Sequence, residues 1–533
     1  GGKVFLDLVI NHTGWGSTEF EDHPEWFIRD AKTGEFESPG AWGVKWGDLV
    51  ELAHKHTDLW EYLAEVFLTW CRRGVDGFRC DAGYKVPAPA WQYIIARVRQ
   101  EFPDALFLLE GLGGAWDDTE RLLTEGGMQW AYSELFQEFS GVQVSGYLDH
   151  ALKQSKRVGL LVNYSETHDN ERLVDIGKAW SLMRNRLCAL TSVSGGFGFT
   201  CGVEWLAPEK IKVHAARGLN WRAGENIVPE LARLNKLLST HPCFFDGAKL
   251  TRLSKSGSDV YALWRQSGDE VVLVLVNTDM EEAHTAELTL DEDHPLGELK
   301  VELLGQPMPV IKVGSQRYKF QVAAGGVLCL GREDIVDVDY ANERLLGARA
   351  LKAISGIVRP RYIGQCEWRD LAVIAASDTG QFLAAVSTLD PEAQHDDLPG
   401  EILAAIASDS YPQLVLWELP DRKRVTVVPE GHWLLIRDKV PFRATLRSDA
   451  LEFPEHLESV RVDDGHVCWF APRKDVTAKA SLELERYGDS EIAVTAELQL
   501  QAAEPRSVLG RELPKPDEIV LLTNGRGAMA RMC

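Results

Sequence analysis

The chain opens on a run of apolar residues at 3–10 broken only by Asp7, the pattern of a strand covered on both faces. From residue 57 the spacing becomes helical: Leu59, Leu63, Val66 and Trp70 share one face, Asp58 sits in the first turn, and Gly74 stops the run. A strand over 75–80 follows at once, then a helix over about 90–102 carrying Trp91, Ile94, Ile95 and Val98, then a strand over 105–109 that ends at Glu110. The alternation continues with a short strand near 128–131, a helix near 143–156, a strand over 158–162 and a helix over about 176–190. A strand and turn at 198–204 and a helix over about 228–238 close it. Strands and helices alternating through short connections predict parallel pairing and an α/β fold. About forty residues after the first strand, rich in Gly, Trp and acidic side chains, show no period and read as a loop over its carboxyl end.

After Pro242 the rhythm shortens. Alternating segments at 260–264, 270–276, 285–290, 299–304, 318–322 and 326–330 predict a small antiparallel β-sandwich. Gly331-Arg332-Glu333-Asp334 marks a boundary, followed by one helical segment at 342–354 and then mostly β sequence, including 413–417, 424–428, 433–436 and 492–500. Three domains are therefore expected: an α/β domain over 1–241, a sandwich over 242–333 and a β-rich domain over 334–533.

Composition narrows the partners. A formal net charge of -23 over 533 residues argues against nucleic acid and anionic membrane surfaces and suits a neutral substrate. The nine cysteines are scattered, with no CxxC pair, which reads as reduced thiols in a cytoplasm. No run of eighteen apolar residues offers a membrane span. The chain starts without Met, and both ends read as cuts through a longer protein.

Polar residues collect at four predicted strand ends: Asp7 with Asn11 and His12, Arg79 with Asp81, Glu110, and His168 with Asp169. Residues two apart on a strand point the same way, so Arg79 sets a guanidinium beside the Asp81 carboxylate and fixes its direction. Parallel α/β barrels draw catalytic groups from the carboxyl ends of several strands, and carboxylates gathered there point to acid and nucleophile chemistry on a glycosidic bond. The plainer alternatives are a structural ion pair for Arg79–Asp81, a structural role for His12, and a scaffold or calcium-related role for Asp7 and Asn11. Trp15, Trp42 and Trp46 in the long loop are candidate sugar-stacking platforms or core residues, and Glu204 reads as structural.

Taken together, Asp7-Leu8-Val9-Ile10-Asn11-His12, Gly77 to Asp81, Leu108-Leu109-Glu110 and Glu166-Thr167-His168-Asp169 resemble, in order, the four conserved regions of the α-amylase family, glycoside hydrolase family 13. The resemblance implies an incomplete (β/α)8 TIM barrel, strand 3 onward, with the sandwich and the second β-rich domain behind it. It implies Asp81 as nucleophile, Glu110 as general acid and then base, and Asp169 as the group that binds sugar hydroxyls and stabilises the transition state. A nearby carboxylate such as Asp169 is then expected to raise the Glu110 pKa. Arg79 would orient Asp81, and His12 and His168 would hydrogen-bond the sugar of the donor subsite. After the nucleophile this chain reads Ala82-Gly83-Tyr84-Lys85, where many members carry Lys then His at the third and fourth positions, so Tyr84 and Lys85 would shape the acceptor side.

Without the first two barrel strands two sheet edges stay open, and this piece is expected to be poorly soluble or inactive alone. Residues 521–529, Leu-Leu-Thr-Asn-Gly-Arg-Gly-Ala-Met, resemble the junction before the helical domain of amylo-α-1,6-glucosidase debranching enzymes. The implied function is 4-α-glucanotransferase activity through a covalent glycosyl-aspartate intermediate, within a debranching protein acting on glycogen, starch or maltodextrin, that is, on α-1,4/α-1,6-glucan. An α-amylase or α-glucosidase hydrolase and a non-catalytic glucan-binding protein are the alternatives. No metal or cofactor is required, calcium being the one candidate.

Overall fold

The computed structural model describes the chain from residue 2 to 335 except at 42, 103, 213–218, 290–298, 310 and 315–316, and piecewise from 338 to 407. Beyond that it describes the backbone of ten strands between 415 and 512. Contacts divide the chain into two compact units: Gly1–Ala131 with Leu345–Gly364 and Arg369–Cys533, and Tyr132–Arg344 with Gln365–Trp368.

The first unit begins with β1 (Phe5–Val9), α1 (Thr57–Arg72), β2 (Gly77–Asp81), α2 (Ala88–Glu101), β3 (Leu106–Leu109), α3 (Trp116–Thr124) and β4 (Trp130–Tyr132). The strands pair in parallel in that order, with Asp7 opposite Arg79 and Val9 opposite Asp81. Along β2 the pleat alternates: Phe78 and Cys80 are fully buried, while Arg79 and Asp81 share the other, partly open face. Phe78 meets Phe67 of α1 edge-on, with ring centroids 4.7 Å apart, and Phe107 of β3 at 5.5 Å. This aromatic layer anchors the sheet to its helices. Gly77 is required, because a Cβ there would lie 2.9 Å from the Leu106 carbonyl oxygen. Helix α3 is absent from the sequence reading; its buried face is only Thr119, Leu122 and Leu123, too few apolar positions to show a period.

The stretch after β1 is more ordered than a bare loop. His12–Gly14 pairs antiparallel with Leu49–Glu51, and Thr18–Asp22 forms a short helix capped by the Ser17 hydroxyl.

The second unit carries α4 (Gly141–Arg157), β5 (Leu160–Tyr164), α5 (Lys178–Leu190), β6 (Phe197–Gly198) and α6 (Val228–Thr240). Strand β6 pairs in parallel with β5. Helix α4 starts at a reciprocal capping box between Ser140 and Gln143. The sandwich follows as β7 (Lys249–Arg252), β8 (Val260–Ser267), β9 (Glu270–Asn277), β10 (His284–Thr289), β11 (Val301–Glu302), β12 (Ile311–Gly314), β13 (Arg317–Val322) and β14 (Val327–Gly331). It forms a sheet in the order β7-β8-β9-β14-β11 and a second in the order β10-β13-β12. Strand β9 is apolar from Val271 to Val276 because both its faces are covered: Val272, Val274 and Val276 join a core with Leu187 and Leu190 of α5 and Leu234 and Leu237 of α6, while Leu273 and Leu275 join Trp264 and Phe320. Predicted strands correspond to six of these eight; β7 and β12, four residues each, are absent from the reading.

Beyond the sandwich the expectation of one helix and then β sequence needs correction. Among the described residues three helices follow, α7 (Ala341–Ser355), α8 (Trp368–Ser377) and α9 (Leu398–Ala407). The last two span only ten residues each, and α9 opens on Leu398-Pro399-Gly400, whose Pro and Gly read as breakers. The strands between 415 and 512 do follow, among them a four-strand antiparallel sheet and the hairpin of Val476–Tyr487 with Glu491–Ala502. The debranching-type motif at 521–529 lies outside the described residues.

Candidate active site

Strand β2 delivers Arg79 and Asp81 to its carboxyl end. Arg79 Nη1 donates to Asp81 Oδ1 at 2.5 Å and to both Asp7 oxygens, at 2.9 and 2.8 Å. Asp7 stands opposite Arg79 in the register, so β1 fixes the guanidinium from one side and leaves it aimed at Asp81. Asp7 is thus ion-paired to the same guanidinium that meets Asp81.

The chain then turns sharply. Ala82 adopts φ 44°, a left-handed conformation uncommon outside glycine. The turn aims the Ala82 N–H at Glu110 Oε2, 2.7 Å away, and the Leu112 N–H reaches Glu110 Oε1 at 2.9 Å. Glu110 is itself buried, 8% exposed. Burial raises its pKa above the ordinary 4.5; the two N–H donors and Arg79 oppose the shift, and Asp81 adds to it. The sequence reading expects a nearby carboxylate to do this; the larger cause is removal from water, which penalises the charged form. The result is a carboxyl group disposed to hold a proton beside one held by an arginine.

His12 sits on the short hairpin, mostly buried. Burial lowers its pKa, partly offset by the charges of Asp81 and Asp48. Its ring lies 5.7 Å from that of Trp46. Trp15 belongs instead to an aromatic cluster with Phe20 and Phe36, and Trp42 lies outside the described residues. Tyr84 and Lys85 follow on a single helical turn, Lys85 exposed with Nζ 5.4 Å from the Tyr84 ring centre. Burial, Glu110 and Asp81 all raise the Tyr84 pKa. Gly114 leaves room for the Tyr84 ring, since a Cβ there would come within 2.9 Å of it. One unit therefore brings His12, Arg79, Asp81, Tyr84 and Glu110 within electrostatic reach of one another.

The second unit holds the fourth motif after β5. His168 Nε2 lies 3.4 Å from Asp169 Oδ2, and Asp169 is the more exposed of the two. Beneath them Glu166 and Arg172 form an ion pair at 3.2 Å with both side chains 2% exposed, close in charge but not aligned as a hydrogen bond. Glu166 Oε2 accepts from the Leu173 N–H at 2.7 Å, and the Thr167 hydroxyl closes on Asn170 at 2.7 Å. Glu204 accepts from the Gly202 N–H at 2.9 Å and caps its own turn, in keeping with a structural role.

Sequence reasoning misses two supports. His54 Nε2 bonds the Ile10 carbonyl at 2.8 Å and steadies the end of β1; burial holds its pKa down to about 4, so it is neutral. Arg172 is the second, and neither lies in a motif. Among the described residues no cluster of three or more His, Cys, Asp and Glu side chains is arranged to hold a metal ion. Nor is any helix among them long and apolar enough to cross a membrane.

A parallel α/β sheet with an arginine-held aspartate at one strand end and a buried glutamate at the next is the arrangement that the α-amylase resemblance implies. Known proteins agree with that class. The chain is 26% identical over 302 residues to the α-1,4-glucan:maltose-1-phosphate maltosyltransferase of Rhodospirillum rubrum, a match covering 52% of this chain and 42% of the relative. It is 26% identical over 308 residues to the enzyme of the same name from Cereibacter sphaeroides, covering 54% and 50%. Among solved structures, the Nostoc punctiforme debranching enzyme matches with a TM-score of 0.50 at 21% identity, over 62% of this chain and 76% of that one. The α-amylase of Geobacillus thermoleovorans, solved with acarbose, matches with a TM-score of 0.50 at 19% identity, over 62% and 77%. No protein-family profile matches the chain. The chain spans about half the length of the curated relatives it matches. Sequence relatives and fold neighbours agree on the α-amylase family resemblance.

Proposed function

We propose that this chain carries the catalytic barrel of a retaining α-glucan transglycosylase. The Asp81 carboxylate attacks the anomeric carbon as the glycosidic C–O bond breaks, and Glu110 gives its proton to the leaving oxygen. A covalent glycosyl-Asp81 ester results. In the second half Glu110, now a carboxylate, takes the proton from an incoming sugar hydroxyl, whose oxygen displaces Asp81 and restores both groups. Asp169 holds the sugar hydroxyls, and His12 and His168 hydrogen-bond the donor sugar; Lys85 and Tyr84 face the acceptor. The observation that carries the reading is the pairing of environments at neighbouring strand ends: an arginine-held Asp81 beside a buried Glu110 whose pKa burial raises.

Transfer is preferred to hydrolysis because the sequence relatives bear the name of a maltosyltransferase. The whole protein would then act on glycogen, starch or maltodextrin, moving α-1,4-linked segments, with debranching as its wider role. The test is the full-length protein with maltoheptaose, products separated by chain length, and Glu110→Gln as control. A ladder of longer and shorter glucans, absent from the control, supports transfer; only shorter products make it a hydrolase; no change favours a glucan-binding protein. The relatives' name motivates a second reading with maltose 1-phosphate as donor, which phosphate release alongside growth of a glucan acceptor would reveal.

A further inference from the structure

Four non-glycine residues among those described have left-handed backbone: Ala82, Leu206, Asn220 and Arg222. Ala82 belongs to the catalytic turn. The other three gather around two tryptophans on the segment after β6. Residues held in such conformations persist where the surroundings over-determine them, often at ligand sites.

Leu206 follows Trp205, and Asn220 and Arg222 flank Trp221 on both sides. The Asn220 amide donates to the Trp205 carbonyl at 2.8 Å, locking the two short stretches together. The indoles stand side by side, with ring centroids 5.4 Å apart at 48°. Trp221 is 66% exposed, among the most exposed large apolar side chains described. An indole left in water forgoes the burial that ordinarily stabilises it.

The segment is tied to the fourth motif. Arg172 donates to the Cys201 carbonyl at 3.0 Å and to the Ala207 carbonyl at 3.2 Å, gripping both ends of the turn that presents Trp205. The Thr200 hydroxyl donates to the Glu166 carbonyl at 3.2 Å. The groups that support the turn of His168 and Asp169 therefore also support the tryptophan pair.

We propose that Trp221 and Trp205 form a stacking platform for an α-glucan chain, a subsite additional to the groups at the β1, β2, β3 and β5 strand ends. A pyranose ring offers an apolar face of C–H groups and an equatorial rim of hydroxyls, so it stacks on an indole while its rim stays hydrated. Two indoles set at an angle suit consecutive units of a curved α-1,4 chain better than a flat sheet of sugar. The proposal rests on the reading of this protein as glucan-active.

The test measures maltoheptaose binding by calorimetry on the full-length protein in an Asp81→Asn background, which keeps the ligand intact. Trp221→Ala should weaken binding about tenfold, equivalent to about 1.4 kcal/mol, and Trp221→Phe should restore most of it. Maltose, with only two rings to offer the two indoles, should show a smaller change in affinity than maltoheptaose. Because Trp221 is exposed, an unchanged melting temperature is expected and shows that the fold is intact. Binding by Trp221→Ala within twofold of the parent, while the wild-type protein still converts maltoheptaose, overturns the platform and leaves the transglycosylase reading standing. Failure of wild-type protein both to bind and to convert maltoheptaose overturns both.

Discussion

At Asp81 a carboxylate meets a guanidinium 2.5 Å away, while Glu110, one strand over, meets two backbone N–H groups where solvent scarcely reaches. Asp81→Asn keeps the shape but removes the proposed nucleophile, so the single-turnover rate should fall by at least about a thousandfold while glucan binding survives. The proposed first chemical step needs Glu110 protonated. Its rate should therefore fall as pH rises through the Glu110 pKa, which burial places above 4.5. A pH–rate profile checks this: Glu110→Gln assayed with an activated donor such as a glycosyl fluoride, whose departure needs no proton, should lose that alkaline limb. These residues were legible because each closes an apolar run. The Ala82 geometry was not, since no sequence feature marks an alanine that must turn left-handed to point its N–H at a carboxyl on the next strand.

Elements reach the site through supports that carry no motif. The Glu166–Arg172 pair is enclosed, and Arg172 also satisfies two carbonyls of the turn after β6. Arg172→Ala should destabilise the protein by about 3–5 kcal/mol in urea unfolding, because an uncompensated carboxylate stays buried. Adding Glu166→Gln should recover part of that loss, a coupling that a double-mutant cycle reads directly. Strands and helices of strong period were recognised to within a few residues, as with α1 and β9. Helices α3, α8 and α9 were missed because each is short, and their apolar positions acquire meaning only from the partner they pack on.

Over the whole molecule, the charge of -23 would repel an anionic ligand, whereas the proposed glucan substrate is neutral. Maltoheptaose affinity should therefore vary less than about twofold between about 50 and 500 mM salt, whereas a charged ligand would show strong screening. Arg265, fully enclosed, donates to the carbonyls of Leu190, Ser192 and Cys243, and so pins the end of α5 to the sandwich; burial lowers its pKa to about 10. Arg265→Met should lower stability by several kcal/mol, about 1–3 for each carbonyl left unsatisfied, seen as a fall in unfolding midpoint. The sequence by itself determined the parallel α/β plan, most strands of the sandwich that follows it and the candidate residues of the proposed chemistry, because periodicity and strand-end polarity are local properties of the chain. Only the tertiary structure decided that burial raises the Glu110 pKa, which arginines are buried, and that Trp205 and Trp221, sixteen positions apart, stand together. Burial, field and juxtaposition depend on what the fold brings from elsewhere, and no local pattern contains them.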